Sequence, residues 1–212
     1  MSEELTIMQM QIGPMANFVY IIGCAATGEA AVVDPGWDAA AILRGAEKAG
    51  LAIKTIIVTH SHMDHVNALA ALRQEVEATV YVHSRELAAI QRIDAAAVAV
   101  EDGAEVALGD HKVVLLHTPG HTPGSQCLLV QGRVLTGDTL FAGSIGRSDL
   151  PGSSPTQLFE SLNRLKALDP ATVVLPGHNY GERRSSTIEH ELRTNPFLRI
   201  PTLADFLRLQ GI

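Results

Sequence analysis

Between Thr59 and His65 the chain reads Thr-His-Ser-His-Met-Asp-His, which places His60, His62, Asp64 and His65 within six residues. Imidazole nitrogen and carboxylate oxygen are the donors that zinc, iron or manganese accepts. The run follows the apolar stretch Thr55-Ile56-Ile57-Val58, so its side chains arrive as the chain leaves a buried strand. On extended backbone His60 and His62 point the same way, because side chains alternate. Asp64 and His65 then enter a helix-like segment carrying Val66, Leu69 and Leu72, where they can face a second ion. Crowding these groups together without a cation would cluster titrating side chains for no structural gain. The run therefore points to two adjacent metal ions.

Three more candidate ligands each follow a strand-like run. His121 comes after Val113–Leu116 in the turn-rich stretch 117–124, Asp138 after Val134-Leu135, and His178 after Val173-Val174-Leu175. Strand tips hold donors rigidly, and the glycines beside each one let backbone approach closely. The remaining histidines receive no ligand role. His83 ends a strand, His111 is read on an exposed turn, His190 on a helix, and His117 in a strand near the site.

The elements that must position these residues alternate in the first half. Strands are expected at 18–22, 31–33, 55–59 and 79–83, with a helix capped by Asp38 and stopped by Gly50, another near 66–73 and a third from Ser84. The second half opens with strands at 113–116, 127–130 and 134–135. Ser154-Pro155 then opens a helix as cap and first-turn proline, burying Leu158, Phe159, Leu162 and Leu165. A strand at 172–175 and a helix near 187–194 follow. Helices flanking two β-rich halves imply an α/β fold, a four-layer αββα sandwich with its loops gathered at one edge. Residues 1–212 read as a single domain, with a short tail at 196–212 that docks through Leu203, Phe206 and Leu207. The loops 91–104 and 139–155 are expected to shape a substrate pocket.

With 46% hydrophobic and 18% charged residues, the sequence is that of an ordinary globular protein. A net charge of −7 and the lack of a basic run argue against a nucleic-acid partner. Met1-Ser2-Glu3-Glu4 lacks the basic-then-apolar order of a signal peptide, and no apolar run is long enough for a membrane span. Cys24 and Cys127 both lie in apolar runs and read as reduced core residues. A cytoplasmic location is the expectation. The sequence leaves open whether the protein is a homo-oligomer.

From about Asn17 to Leu198 the chain resembles the metallo-β-lactamase superfamily, and within it the glyoxalase II-like hydrolases. The landmarks are Asp34, the His-x-His-x-Asp-His run, His121, Asp138 and His178, all in the family's order. The resemblance implies that His60, His62 and His121 hold one divalent metal and that Asp64, His65 and His178 hold another, with Asp138 bridging. Asp34 would be a structural aspartate beneath the metal loop. Zinc is the first expectation, with iron or manganese acceptable to the same donors.

That likeness implies thioester hydrolysis by a hydroxide shared between the metals, acting on a hydroxyacylglutathione-type substrate, with Asp64 also orienting the hydroxide. A thiolate leaves readily, since its parent thiol has a pKa of about 8.5. Segment 136–150 is similar to that of short glyoxalase II-like enzymes. However, the C-terminal helical domain that helps hold glutathione has no counterpart here, and Arg147-Ser148-Asp149 replaces an expected lysine and tyrosine. The alternative is a persulfide dioxygenase with one iron on His60, His121 and Asp138. Gly146-Arg147-Ser148-Asp149 and His178-Asn179-Tyr180 resemble that family too. Arg147 and Tyr180 are the candidate substrate-binding residues, and Arg147 has the competing reading of an ion pair with Asp149 or Glu182.

Overall fold

The computed structural model describes residues 5–210. In chain order, the first half contains β1 (Thr6–Ile12), β2 (Asn17–Cys24), β3 (Glu29–Val33), α1 (Ala39–Lys48), β4 (Ala52–Val58), α2 (Met63–Val66), α3 (Leu69–Glu75), β5 (Thr79–His83), α4 (Leu87–Ile90) and β6 (Val98–Val100). The second half contains β7 (Glu105–Leu108), β8 (His111–His117), β9 (Gln126–Val130), β10 (Arg133–Gly137), the short pair β11 (Leu140–Phe141) and β12 (Ser144–Ile145), α5 (Pro155–Lys166), β13 (Val173–Pro176), β14 (Ser186–Thr187), α6 (Ile188–Thr194) and α7 (Leu203–Leu209).

Two six-stranded sheets result, ordered β1-β2-β3-β4-β5-β6 and β14-β13-β10-β9-β8-β7. Strand β2 shows why they stack. All its residues are buried, as befits a strand covered on both faces. Val19 and Ile21 pack outward beneath α1 and α3 with Ile42, Ala46, Leu69 and Leu72. Phe18, Tyr20 and Ile22 point inward, against Leu115, Leu128 and Leu135 of the facing sheet. A third core lies under α5, α6 and α7, where Leu158, Leu162, Ile188 and Phe206 cover Val134 and Val174. Three cores between four layers make the αββα sandwich.

The helix signals act locally as expected. Asp38 Oδ1 accepts from Ala41 N at 2.8 Å to open α1, and Gly50 takes a left-handed φ of 67° just past its end. Ser154 caps α5 with proline in its first turn, while Phe159 is only half-buried. The tail forms α7, whose buried Phe206 ring lies 5.3 Å from that of Phe159.

Several local readings need correction. The helix expected near 66–73 is two pieces, α2 and α3. Strand β1 runs unannounced over Thr6–Ile12, because alternating methionine and glutamine carry little β-propensity and it pairs through β2. Residues 91–104 are not all loop, since β6 closes an edge of the first sheet. His111 begins β8 opposite Leu108 instead of sitting on a turn. The acidic residues 1–4 and the end of the tail lie outside the described residues.

Candidate metal centre

The centre is built where β3, β4, β8, β10 and β13 release the chain at one edge of the sandwich. Asp34 follows β3 with a left-handed φ of 53°. Its Oδ1 accepts from Thr59 N at 2.7 Å, and its Oδ2 accepts from Thr59 Oγ1 at 2.7 Å and from His65 Nδ1 at 2.9 Å. One buried carboxylate thus pins both ends of the histidine loop. Gln126 Nε2 donates to Val58 O at 2.8 Å and ties the same loop to the second sheet.

Three other histidines, His60, His121 and His178, are held from behind in the same manner. His121 Nδ1 donates to Arg147 O at 2.8 Å and His178 Nδ1 to Met15 O at 2.9 Å. His60 Nδ1 lies 3.0 Å from Thr59 Oγ1. A back nitrogen that carries the proton leaves the front nitrogen with a lone pair, the arrangement of metal-binding imidazoles. Those front nitrogens converge. His62 Nδ1 is 3.1 Å from His60 Nε2 and 2.9 Å from His121 Nε2. His65 Nε2 and His178 Nε2 are 3.1 Å apart, and Asp64 Oδ2 lies 3.5 and 3.3 Å from them. Lone pairs at such distances repel unless a proton or a cation lies between them. Ligand nitrogens around a tetrahedral zinc are separated by roughly 3.3 Å, so both clusters fit an ion.

Asp138 lies between the clusters. Its Oδ1 is 3.3 Å from His65 Nε2, and its Oδ2 is 3.5 Å from His121 Nε2 and 3.4 Å from His178 Nε2. Oδ1 is buried without a hydrogen-bond partner, an expensive state for a carboxylate oxygen unless a cation satisfies it. Gly177 is what permits this fit, since a Cβ there would collide with Asp138 and Gly137. A further trio of donors, Asp34, His60 and His65, also lies close together, but Asp34 is already fully engaged by Thr59 and His65.

The electrostatics divide the site. Burial and neighbouring histidine charge push the His60 and His62 imidazoles below their usual range. Burial also opposes a charged His65 and His178, yet the adjacent carboxylates prevail. Asp138 and Asp34 lift His65, and Asp138 and Asp64 lift His178 to about 9. For Asp64, burial is outweighed by the His178 hydrogen bond, the His65 charge and the Asn17 amide, which hold it below the carboxylate range. Asp138 is likewise held low, chiefly by His65 and His178 against the effect of burial.

Two supporting residues were not legible in the sequence. Buried Glu86 accepts from Gly124 N at 2.8 Å and from Ser61 N at 3.3 Å, with Ser61 Oγ in close contact as well. It thereby joins the loops of His60, His62 and His121. Asn17 Nδ2 donates to Asp64 Oδ2 at 2.8 Å. Neither position has a motif, although a polar residue opening an otherwise apolar strand was a weak signal for Asn17.

Tyr180 stacks on His178, with ring centroids 4.4 Å apart and planes 11° apart, and is half exposed. It forms one wall of a cavity of about 730 Å³, whose other walls include Ala142, Ser144, Arg183 and His190. The 139–155 segment contributes to that cavity and the 91–104 segment does not. The exposed Arg147 donates from Nε and Nη2 to Asp149 at 2.9 Å each, so the ion-pair reading describes its side chain. His83 and His117 stack on each other, 3.9 Å between centroids, and belong to neither cluster.

A sequence profile described as the Metallo-beta-lactamase superfamily matches residues 12–178. The chain belongs to the metallo-β-lactamase superfamily. Superfamily relatives include a protein of Bacillus velezensis named as a probable polyketide biosynthesis zinc-dependent hydrolase, BaeB, 34% identical over 92% of this chain and 88% of its own. The hydroxyacylglutathione hydrolase of Anaeromyxobacter dehalogenans is 42% identical over 77% of this chain, which matches 62% of that enzyme's length. Among superfamily structures, ETHE1 from Myxococcus xanthus superposes with a TM-score of 0.89 at 32% identity, covering 97% of this chain and 90% of that one. The fold, the metal-binding chemistry and the hydrolase-type scaffold are those of the superfamily.

Proposed function

We propose that the protein is a dinuclear metal-dependent hydrolase that cleaves thioesters, with a hydroxyacylglutathione-type conjugate as substrate. The observation that carries this reading is Asp138, which faces both histidine clusters with one buried oxygen unpartnered. His60, His62 and His121 would hold one ion, Asp64, His65 and His178 the other, and Asp138 would be shared. Zinc suits these nitrogen and oxygen donors, and iron or manganese is chemically compatible. Such a pair would supply a water whose pKa falls from about 15.7 toward 7 and an electrophile for a substrate carbonyl.

The chain's own residues do the remaining work. Asp64, steadied by Asn17, accepts a hydrogen bond from the attacking water and aims it. Tyr180, rigid on the His178 ring, offers its hydroxyl to the reacting sulfur or carbonyl. Arg147 recognises a substrate carboxylate by exchanging its exposed partner Asp149. A thiolate needs little protonation to depart, which suits thioesters over amides. The 42% identical hydroxyacylglutathione hydrolase supports this substrate class. On this reading residues 1–212 are one domain working on a small molecule in the cytoplasm. No helix among the described residues is long and apolar enough to cross a membrane.

The test is hydrolysis of S-lactoylglutathione by metal-replete protein without oxygen, beside Asp138→Ala. Turnover that disappears in the variant supports the proposal, and its absence from loaded wild-type protein overturns it for this substrate. The backbone match to ETHE1 favours one second reading, a mononuclear-iron persulfide dioxygenase using His60, His121 and Asp138. Oxygen uptake with glutathione persulfide by iron-loaded protein would select it.

A further inference from the structure

We propose that Trp37 and Asn17 form a positioning arm that fixes the Asp64 carboxylate, and with it one of the two ion positions, from the mouth of the site. The inference rests on the assignment of Asp64 to an ion made above. Asn17 opens β2 and is 2% exposed. Its amide is engaged at both ends. Nδ2 donates to Asp64 Oδ2 at 2.8 Å and to Asp64 O at 3.3 Å, while Oδ1 accepts from Trp37 Nε1 at 2.8 Å.

The indole and the Asp64 oxygens require the same orientation of that amide. The two ends of an asparagine side chain are nearly the same shape, and only their partners distinguish oxygen from nitrogen. An indole N–H is a donor and nothing else. By donating to Asn17 it makes the facing atom the oxygen, so the NH₂ end must face Asp64. Without the indole donor, the buried Oδ1 loses its partner and the Asp64 oxygens alone are left to hold the amide.

Trp37 is itself held in an unusual state. Its backbone lies in the left-handed region, with φ at 66°, which a bulky residue adopts only when its surroundings enforce it. Here the Trp37 N–H donates to Asn67 Oδ1 at 2.5 Å, in the break between α2 and α3. The ring lies over Gly13, where a Cβ would strike it. Ring packing alone would account for a large apolar side chain at this place. It does not account for the N–H directed at a buried amide that in turn holds Asp64.

Trp37→Phe tests the donor, because phenylalanine keeps an aromatic ring over Gly13 and removes the N–H together with the indole's second ring. Zinc is titrated into metal-free full-length protein against a chromophoric chelator, and the step lost in His178→Ala marks the Asp64 position. Trp37→Phe and Asn17→Ala are each expected to weaken that step 10–100-fold and to leave the other within about twofold, as remote sites do. Trp37 is the only tryptophan, so its emission in the wild type should change as that step fills, and Asn17→Ala should abolish the response. Two zinc steps unchanged in Trp37→Phe, or wild-type emission flat across the marked step, would overturn the arm alone. Uptake of a single zinc would overturn the two-ion reading and the arm together. If Asn17→Ala does not fold, the Trp37→Phe titration and the wild-type emission decide.

Discussion

Asp34 Oδ2 meets His65 Nδ1 at 2.9 Å, and both side chains are almost wholly buried. The same oxygen accepts from Thr59 Oγ1, so this carboxylate joins the start of the histidine loop to its end. Asp34→Ala would strand the Thr59 N–H and the His65 ring N–H away from water. Breaking a buried charged contact of this kind costs about 3–5 kcal/mol. Urea unfolding of the metal-free variant should show a loss of that size, and Asp34→Asn should show a smaller one with weakened metal uptake.

Glu86 gives a second, independent handle. It spans Ser61 and Gly124, so its hydrogen bonds brace the loops of His62 and His121. Glu86→Ala is expected to weaken zinc at the His60-His62-His121 position 10–100-fold. Stepwise chelator competition should show the other position holding its affinity.

Metal uptake should also release protons unequally. His60 and His62 are pushed below their usual range and are neutral near pH 7.5, ready to donate lone pairs. His178 is lifted to about 9 and His65 is lifted as well, and with their Nε2 atoms 3.1 Å apart the pair shares a proton in the metal-free protein at that pH. An ion entering beside Asp64 must displace that proton, and its affinity falls as pH drops. Zinc addition in weakly buffered solution with an indicator dye should show more proton release for this position than for the other.

Tyr180 and Arg147 predict distinct kinetic signatures. Tyr180→Phe keeps the stack on His178 and removes one hydroxyl, so kcat/KM should fall about tenfold, the worth of one hydrogen bond, with metal content unchanged. Arg147→Ala should raise KM several-fold for a thioester carrying a carboxylate and leave kcat alone. Steady-state assays with S-lactoylglutathione and an uncharged thioester check both.

The layered fold was legible because runs such as Phe18–Ile22 and Val113–Leu116 are buried on both faces and announce themselves by composition. The ligand candidates were legible because each follows a strand, and the structure does bring all seven into contact. What remained hidden depends on partners distant in sequence. Glu86 acts through Gly124, 38 positions away, and β1 is a strand because β2 lies beside it. The break after α2 reflects Asn67 serving Trp37, a demand that no helical periodicity records.

The candidate ligands come from both sheets: His60, His62, Asp64 and His65 from the first, and His121, Asp138 and His178 from the second. Each proposed ion would therefore be gripped from both sides of the central core and act as a rivet through the sandwich. Free ion at 1,000 times its dissociation constant adds about 4.1 kcal/mol to the native state, and here that energy would fall on the seam between the sheets. Chelation would then do more than silence chemistry. It would let the two halves loosen separately, so a single cooperative melt of loaded protein should split or broaden once the metal is withdrawn.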